Sequence, residues 1–243
     1  MKAMIFAAGL GTRLKPLTDN SPKALVEVGG IPMLGRVIEK LKDAGVTEMV
    51  VNVHHFPDMI IDYLRANNNF DAKIIISDER NLLLDTGGGV RKAAPQLDGD
   101  EPILLHNADI LTDFDLRAME NAFFKAGADA MLLVGDRATS RYLLMDSDNR
   151  LRGWTNLKTG EVRHASLDAD GMHRKAFGGV HIISPAALHA LENYNSETDK
   201  FSITPFYVEM CSSLDIRGYE PDEPYRWFDV GRPDTLEAAR QSV

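Results

Sequence analysis

Short apolar segments alternate with helix-like segments through the first half of the chain. AMIFAA, EMVVNV, AKIIIS and PILLHNAD have the length and apolar content of buried strands. After the first of them, MLGRVIEKLKDAG repeats apolar residues at helical spacing and ends at Gly45, as amphipathic helices commonly do. This alternation predicts a mostly parallel sheet with helices on both of its faces.

The pattern changes after about residue 136. RYLLMD, LRGWTN and FGGVHIISP are shorter and are separated by turn-forming clusters, so they predict antiparallel strands that extend or cap the sheet. PAALHALENY and PDTLEAARQ predict helices with proline at the first position. Since no repeat or flexible linker interrupts the chain, we expect residues 1–243 to form a single domain.

Composition narrows the classes of function. A formal net charge of -9 disfavours general nucleic-acid binding, because polyanions are repelled. The single cysteine, Cys211, allows no intrachain disulfide, which fits a reducing compartment. No segment approaches the ~20 apolar residues that cross a bilayer. We therefore expect a cytoplasmic protein that binds neither nucleic acid nor membrane.

The loop after the first strand carries a net positive charge, opposite in sign to the charge of the whole chain. Residues 1–25 contain four basic side chains and one acidic side chain, a local charge of +3. Gly9 and Gly11 allow the backbone to approach a ligand closely, and Arg13, Lys15 and Lys23 supply cations. The loop therefore predicts a phosphate site.

Other glycine motifs fit this loop poorly. A dinucleotide-binding fingerprint needs a third glycine, but Leu14 occupies that position. A P-loop needs its second glycine to be followed by Lys and then Ser or Thr, but Gly35 is followed by Arg36. A surface turn between strand and helix would explain the glycines by themselves. It would not explain the concentration of cations.

GLGTRLKPLT followed by SPKAL resembles the signature of the sugar-nucleotide pyrophosphorylases, which are sugar-1-phosphate nucleotidyltransferases. The resemblance implies a Rossmann-like three-layer α/β/α sandwich with a mostly parallel mixed sheet. It also implies a nucleotide-binding half over about residues 1–135 and a sugar-binding half over about residues 136–243.

The resemblance assigns roles to the residues of the two nucleotide-binding segments. Arg13 is expected to grip the β and γ phosphates and Lys23 to contact the α phosphate, so both are candidate catalytic residues. LLDTGGGVRKA, residues 83–93, is similar to the family's second nucleotide loop, although three glycines also suit a flexible turn before a helix. The expected nucleotide-binding set is Ala8, Gly9, Gly11, Thr12, Arg13, Lys23, Thr86 and Gly87.

Two carboxylates match the metal positions of the family. Asp109 follows a buried strand in LLHNADILTD, where Ala108 replaces a more common glycine, and Asp229 lies in YRWFDVGRPD. The resemblance implies that both hold Mg2+, a hard cation that prefers carboxylate oxygens. Asp113, Asp115 and Asp234 are assigned to helix starts or solvated positions.

The sugar contacts are less well defined. FGGVHIISP is similar to a strand whose Gly178 and Gly179 backbone lies against the hexose, and Asn107 precedes the metal carboxylate. The frequent Glu-Lys-Pro contact is absent, and Asn156 in GWTNLKTG is the candidate in its place. The histidines, including His181, lack zinc-ligand spacing and fit core or strand-end positions.

The resemblance implies Mg2+-dependent transfer of a nucleoside monophosphate from an NTP to a sugar 1-phosphate, with release of pyrophosphate, by a monomer or small homo-oligomer. The DTGGG segment favours uridylyl transfer to an N-acetylmuramate-type sugar 1-phosphate for the cell wall. Guanylyl transfer to mannose or heptose 1-phosphate is the alternative. A protein that binds nucleotide sugars without catalysis is a third hypothesis.

Overall fold

The computed structural model describes residues 1–163 and 171–243 of the chain. Its strands are β1 (Lys2–Phe6), β2 (Glu27–Val28), β3 (Ile31–Pro32), β4 (Glu48–Val53), β5 (Lys73–Asp78), β6 (Ile103–Asn107), β7 (Ile110–Thr112), β8 (Ala130–Gly135), β9 (Arg141–Met145), β10 (Leu151–Asn156), β11 (Glu161–Arg163), β12 (His173–Ile183), β13 (Ile216–Tyr219) and β14 (Trp227–Asp229). Its helices are α1 (Met33–Asp43), α2 (Pro57–Ala66), α3 (Asp85–Leu97), α4 (Leu116–Ala126), α5 (Pro185–Glu192), α6 (Ile203–Met210) and α7 (Pro233–Gln241).

The main sheet has the strand order β13-β8-β12-β6-β1-β4-β5. β1, β4, β5 and β6 are mutually parallel, and β13 is parallel to β8. β12 runs antiparallel to both β6 and β8. The prediction of a mostly parallel mixed sheet is confirmed.

Alternate strand residues form two cores, one on each face of the sheet. Ile5 of β1 packs in the core beneath α1, α2 and α4, whereas Met4 packs in the core beneath α3, α5 and α6. Both residues are fully buried. Since successive side chains of a strand point to opposite faces, a strand covered on both faces is apolar throughout, as AMIFAA is. The three-layer α/β/α sandwich is confirmed.

The antiparallel strands expected after residue 136 are present. β9, β10 and β11 form an antiparallel extension that joins the main sheet through the first half of β12. The second half of β12 pairs with β8 and β6, and its register to β8 shifts between Phe177 and His181. One long strand therefore belongs to both sheet regions, with an irregularity where it passes between them.

A small third core attaches the C-terminal helix to the first loop. Leu236 and Ala239 of α7 are buried against Leu14, Val28 and Met33. This helix starts at Pro233, and α5 starts at Pro185, as the sequence pattern predicts. The C-terminal helix α7 therefore packs against the apolar side of the first loop, near the N-terminus of the chain.

No helix within the described part of the chain is both long enough and apolar enough to cross a bilayer.

The third core allows a test of how the first loop is held. Leu236→Ala should lower the free energy of unfolding by about 2 to 5 kcal/mol, because it removes buried methyl groups and leaves a cavity. It should also speed tryptic cleavage after Arg13, which is exposed and adjoins the buried Leu14. Limited proteolysis followed by mass spectrometry measures this rate.

Leu191→Ala is the matched control, since Leu191 is equally buried in the core on the α3, α5 and α6 face. It should destabilise the protein similarly without exposing Arg13 selectively. Equal cleavage in the two variants would show that α7 does not hold the loop.

Candidate active site

A cleft of about 380 Å³ lies at the carboxyl ends of β1, β4 and β6. This is the edge where open α/β sheets bind ligands. Gly231, from the far end of the sequence, also lines it. The cleft gathers the following residues that the sequence assigned to nucleotide, sugar and metal: Ala8, Gly9, Gly11, Thr12, Arg13, Lys23, Thr86, Asn107 and Asp109.

Gly11 gives the first loop its shape. Its φ of 65° lies in the left-handed region that favours glycine. A Cβ at this position would lie 2.8 Å from the Thr18 methyl carbon, so a side chain has no space there. The buried Thr18 hydroxyl donates a 2.8 Å hydrogen bond to the Gly11 carbonyl and closes the loop. The loop therefore presents its backbone to the cleft in one fixed form.

The four charged residues assigned from sequence form two ion pairs. Lys23 donates to Asp109 Oδ2, and both side chains are mostly buried, with 13% and 21% exposed. Arg13 Nη2 lies 3.8 Å from Asp229 Oδ2. Each cation therefore neutralises one carboxylate at the cleft.

The pairing of β7 with β14 brings the two carboxylates together. Asp229 is opposite Ile110 in this antiparallel pair, and the Val230 N–H donates a 2.9 Å hydrogen bond to the Asp109 carbonyl. The Gly231 N–H donates to Asp229 Oδ1 at 2.8 Å. Residues about 120 positions apart in sequence are thus fixed by backbone hydrogen bonds.

Gly231 marks the point where the charged groups converge. A Cβ there would lie 2.5 Å from Lys23 Nζ, 2.6 Å from Asp229 Oδ1 and 2.8 Å from Arg13 Nη2. Only a residue without a side chain leaves these groups in place. Gly231 was not predicted from the sequence as a site residue, although it follows Asp229 by two residues.

The second nucleotide segment differs from the predicted loop. α3 begins at Asp85, so the segment over residues 83–93, expected as a loop, is helical from Asp85 onward. A Cβ on Gly87 would lie 2.3 Å from the Phe201 ring, and a Cβ on Gly88 would lie 2.2 Å from the Asp199 carbonyl oxygen. The glycines are needed because the chain near Phe201 packs directly on this helical turn.

This packing also occupies the Gly87 amide. Its N–H donates a 2.9 Å hydrogen bond to the Phe201 carbonyl, so the expected base contact at Gly87 stays a prediction. Leu83, Asp85 and Thr86 line the cleft instead. Asp85 has a φ of 61°, and its carboxylate accepts from the Thr86 N–H at 2.7 Å. Sequence reasoning missed this carboxylate.

A second cavity of about 680 Å³ lies beyond Asp229, which lines it together with Asn156. Gly178 and Gly179 lie in the irregular part of β12. The Gly178 carbonyl accepts from Trp227 Nε1 at 2.9 Å, and a Cβ on Gly179 would lie 2.8 Å from Asn107 Nδ2. Of the residues assigned to the sugar, Asn107 therefore lines the cleft and Asn156 the second cavity, while Gly178 and Gly179 contact side chains that line one or the other.

Asp113, Asp115 and His181 have structural roles. Asp115 caps α4 by accepting from the Arg117 N–H at 2.8 Å, and Asp113 pairs with Arg226 at 2.7 Å. His181 is buried, its Nδ1 lies 2.5 Å from the Tyr207 hydroxyl, and burial lowers its pKa to about 3. The expectations of a capping Asp115 and a core His181 are confirmed.

The described residues contain no group of three or more histidine, cysteine, aspartate or glutamate side chains arranged for a metal. Asp109 and Asp229 are two hard oxygen donors, and Gly231 beside them leaves the space that a Cβ would fill. A dication that takes its other ligands from phosphate oxygens and water fits such a pair.

The family model described as nucleotidyl transferase matches residues 2–243. The chain belongs to the nucleotidyl transferase family. The enzyme is 33% identical to N-acetylmuramate alpha-1-phosphate uridylyltransferase of Caulobacter vibrioides, over 98% of this chain and 94% of that one. It is 30% identical to mannose-1-phosphate guanyltransferase of Schizosaccharomyces pombe, over 96% of this chain but only 61% of that relative.

Solved structures share the fold of the transferase. HddC from Yersinia pseudotuberculosis complexed with GMP-PN superposes with a TM-score of 0.74 at 22% identity, over 99% of this chain and 98% of that one. A UDP-glucose pyrophosphorylase complexed with UDP-glucose gives 0.79 at 17% identity, over 99% and 97%. The hypothesis of a sugar-1-phosphate nucleotidyltransferase is confirmed at the level of fold, family and reaction class.

A buried polar pair connects the two walls of the cleft. Asn52 accepts from the Ala7 N–H at 2.8 Å and donates to Glu79 at 2.8 Å, and Glu79 accepts from the Leu84 N–H at 3.1 Å. Asn52 and Glu79 are 2% and 1% exposed. Because Ala7 begins the first loop and Leu84 precedes α3, this chain of hydrogen bonds fixes the distance between the two walls.

Glu79→Gln tests this connection. Glu79 accepts hydrogen bonds with both oxygens, and burial raises its pKa, whereas glutamine would turn an N–H2 group towards one of the donors. A buried unmatched donor costs about 1 to 3 kcal/mol, so KM for the NTP should rise about tenfold with a smaller effect on kcat. Steady-state kinetics on the folded variant measures both constants.

Asp78→Asn is the control, because Asp78 is adjacent in sequence but pairs with Arg80 at the surface. Its KM should stay near that of the parent enzyme. A Glu79→Gln enzyme with unchanged KM would show that the buried pair does not set the width of the cleft.

Proposed function

We propose that the enzyme transfers a uridylyl group from UTP to an N-acetylmuramate-type sugar 1-phosphate and releases pyrophosphate. The observation that carries the proposal is the convergence of Lys23, Arg13 and Asp229 around Gly231, where Gly231 lines the cleft and Asp229 lines the second cavity. In this arrangement the first half of the chain binds the nucleotide and the second half binds the sugar.

The phosphates would bind against the first loop. Its glycines and Thr12 offer backbone N–H groups, Arg13 stabilises the charge on the leaving pyrophosphate, and Lys23 lies beside the α phosphate. In the structure both cations are paired with carboxylates. Phosphate oxygens would replace those carboxylates as partners of the cations during the reaction.

Asp109 and Asp229 would then hold Mg2+. When bound, Mg2+ neutralises phosphate charge and acts as a Lewis acid at the phosphoryl oxygens. Asp109 directly precedes β7 and Asp229 ends β14, which pairs with β7, and the Gly231 N–H orients Asp229. The transferase's own contribution is to fix these oxygens before substrate arrives.

The reaction needs positioning more than proton transfer. The nucleophile is an oxygen of the sugar 1-phosphate, which is largely ionised at pH 7 because its second pKa is about 6. It forms a bond to the α phosphorus while the bond from that phosphorus to the bridging oxygen breaks, so pyrophosphate takes the electron pair. No general base is required.

Two observations bear on which nucleobase the enzyme selects. Asp85 lines the cleft near the expected base position, and its acceptor oxygens suit the ring N–H that uracil and guanine carry and that adenine and cytosine lack. Between the two, the uridylyltransferase relative matches this chain over nearly its whole length. The guanyltransferase relative makes guanylyl transfer the second candidate.

The test measures pyrophosphate release with four NTPs against N-acetylmuramate, N-acetylglucosamine, mannose and heptose 1-phosphates. UTP should be preferred over GTP by more than about tenfold in kcat/KM, which is about 1.4 kcal/mol in transition-state binding. A GTP preference with mannose or heptose 1-phosphate would select the second candidate. No release with any combination would remove the proposed reaction.

Asp229→Asn tests the metal role. Turnover should fall by about 100-fold or more, because the amide loses the charge that holds the dication, while the thermal midpoint should stay nearly unchanged. Asp234→Asn, five residues later in the first turn of α7, is the matched control and should keep its activity. Near-normal turnover in Asp229→Asn would exclude that carboxylate from the metal site.

A further inference from the structure

The second cavity is rich in arginine. Four arginines line it, together with two carboxylates, Glu161 and Asp229, although the chain as a whole carries a net charge of -9. Arg163 pairs with Glu161 at 3.0 Å, and Asp229 pairs with Arg13 of the cleft. The other three arginines, Arg137, Arg141 and Arg232, form no salt bridge with any residue that the structure describes, so the cavity keeps an excess of positive charge.

Arg137 is the most firmly held of these three. Its Nη2 donates to the Ala176 carbonyl at 3.0 Å and its Nη1 to the Tyr225 hydroxyl at 3.3 Å. Its guanidinium carbon lies 4.1 Å from the centre of the Trp227 ring. These partners are neutral, so they orient the guanidinium without neutralising it. An oriented guanidinium matches the planar geometry of a carboxylate.

The position of Arg137 relates it to the chemistry. Trp227, on which it stacks, is two residues before Asp229 on β14, and Trp227 is fixed by its bond to the Gly178 carbonyl. A sugar whose 1-phosphate lies beside Asp229 would extend into this cavity. In the proposed function the reacting phosphates lie beside Lys23 and Arg13, so Arg137 in the second cavity is available to another anionic group of the sugar.

We infer that the sugar 1-phosphate taken by this enzyme carries a carboxylate and that Arg137 binds that carboxylate and selects for it. The inference rests on the proposed function. It adds a specificity-determining residue in the second cavity, which disfavours neutral hexose 1-phosphates because they offer the guanidinium no anionic partner.

The experiment compares N-acetylmuramate 1-phosphate with the same compound whose lactyl carboxylate is converted to a carboxamide, so that size is kept and charge is removed. N-acetylglucosamine 1-phosphate, which lacks the lactyl group, is the third substrate. The parent enzyme should prefer the acid over the amide by about 30-fold in kcat/KM, as expected for a hydrogen-bonded charge pair. Arg137→Gln should reduce this preference to about threefold or less, mainly by raising KM for the acid.

Arg137→Lys keeps the charge but loses the planar fork, so it should retain part of the preference. Arg174→Gln is the matched control, since Arg174 is an exposed residue of β12 that does not line the cavity, and it should leave the preference intact. Activity with the amide should be nearly equal in the parent and Arg137→Gln enzymes.

Three results would overturn the inference in distinguishable ways. Equal use of acid and amide by the parent enzyme would remove carboxylate selection while leaving the transferase reaction intact. An equal loss with both substrates in Arg137→Gln would give Arg137 a purely structural role. Absence of pyrophosphate release with every substrate would remove the proposed function, and the inference with it.

Discussion

The mutual neutralisation of four charged side chains at the edge of the sheet is the interaction on which the site depends. Lys23 and Asp109 are mostly buried, where an unpaired charge is costly, and the exposed Arg13 lies beside the partly buried Asp229. Gly231 makes this closeness possible because it has no side chain. Within the protein, each of the two cations therefore has a carboxylate partner.

Rigid backbone supports surround this charged group. The β7–β14 pair fixes the carboxylates, and α7 covers the apolar side of the first loop. The buried Asn52 and Glu79 connect that loop to the start of α3. Catalysis of phosphoryl transfer consists mainly of positioning and charge stabilisation, so supports of this kind carry much of the function although they do not touch the reacting atoms.

Different halves of the chain line the two cavities. Segments before residue 136 line most of the cleft, whereas all the residues that line the second cavity come after residue 136. Both halves contribute strands to one sheet, with β12 between β6 and β8. The cleft and the second cavity are therefore built on a single framework.

The sequence by itself determined the strands, the amphipathic helices and the phosphate loop, because periodicity and the spacing of glycines and cations are local properties. It also identified Asp109 and Asp229 through a family resemblance. Only the tertiary structure decided that the backbone segments carrying these two residues are hydrogen-bonded to each other near Gly231. It also decided that Asn52 and Glu79 connect the two walls of the cleft, and that Phe201 packs against the glycines after Thr86. These features arise from packing between segments distant in sequence, and no local pattern records which distant segment a residue will contact.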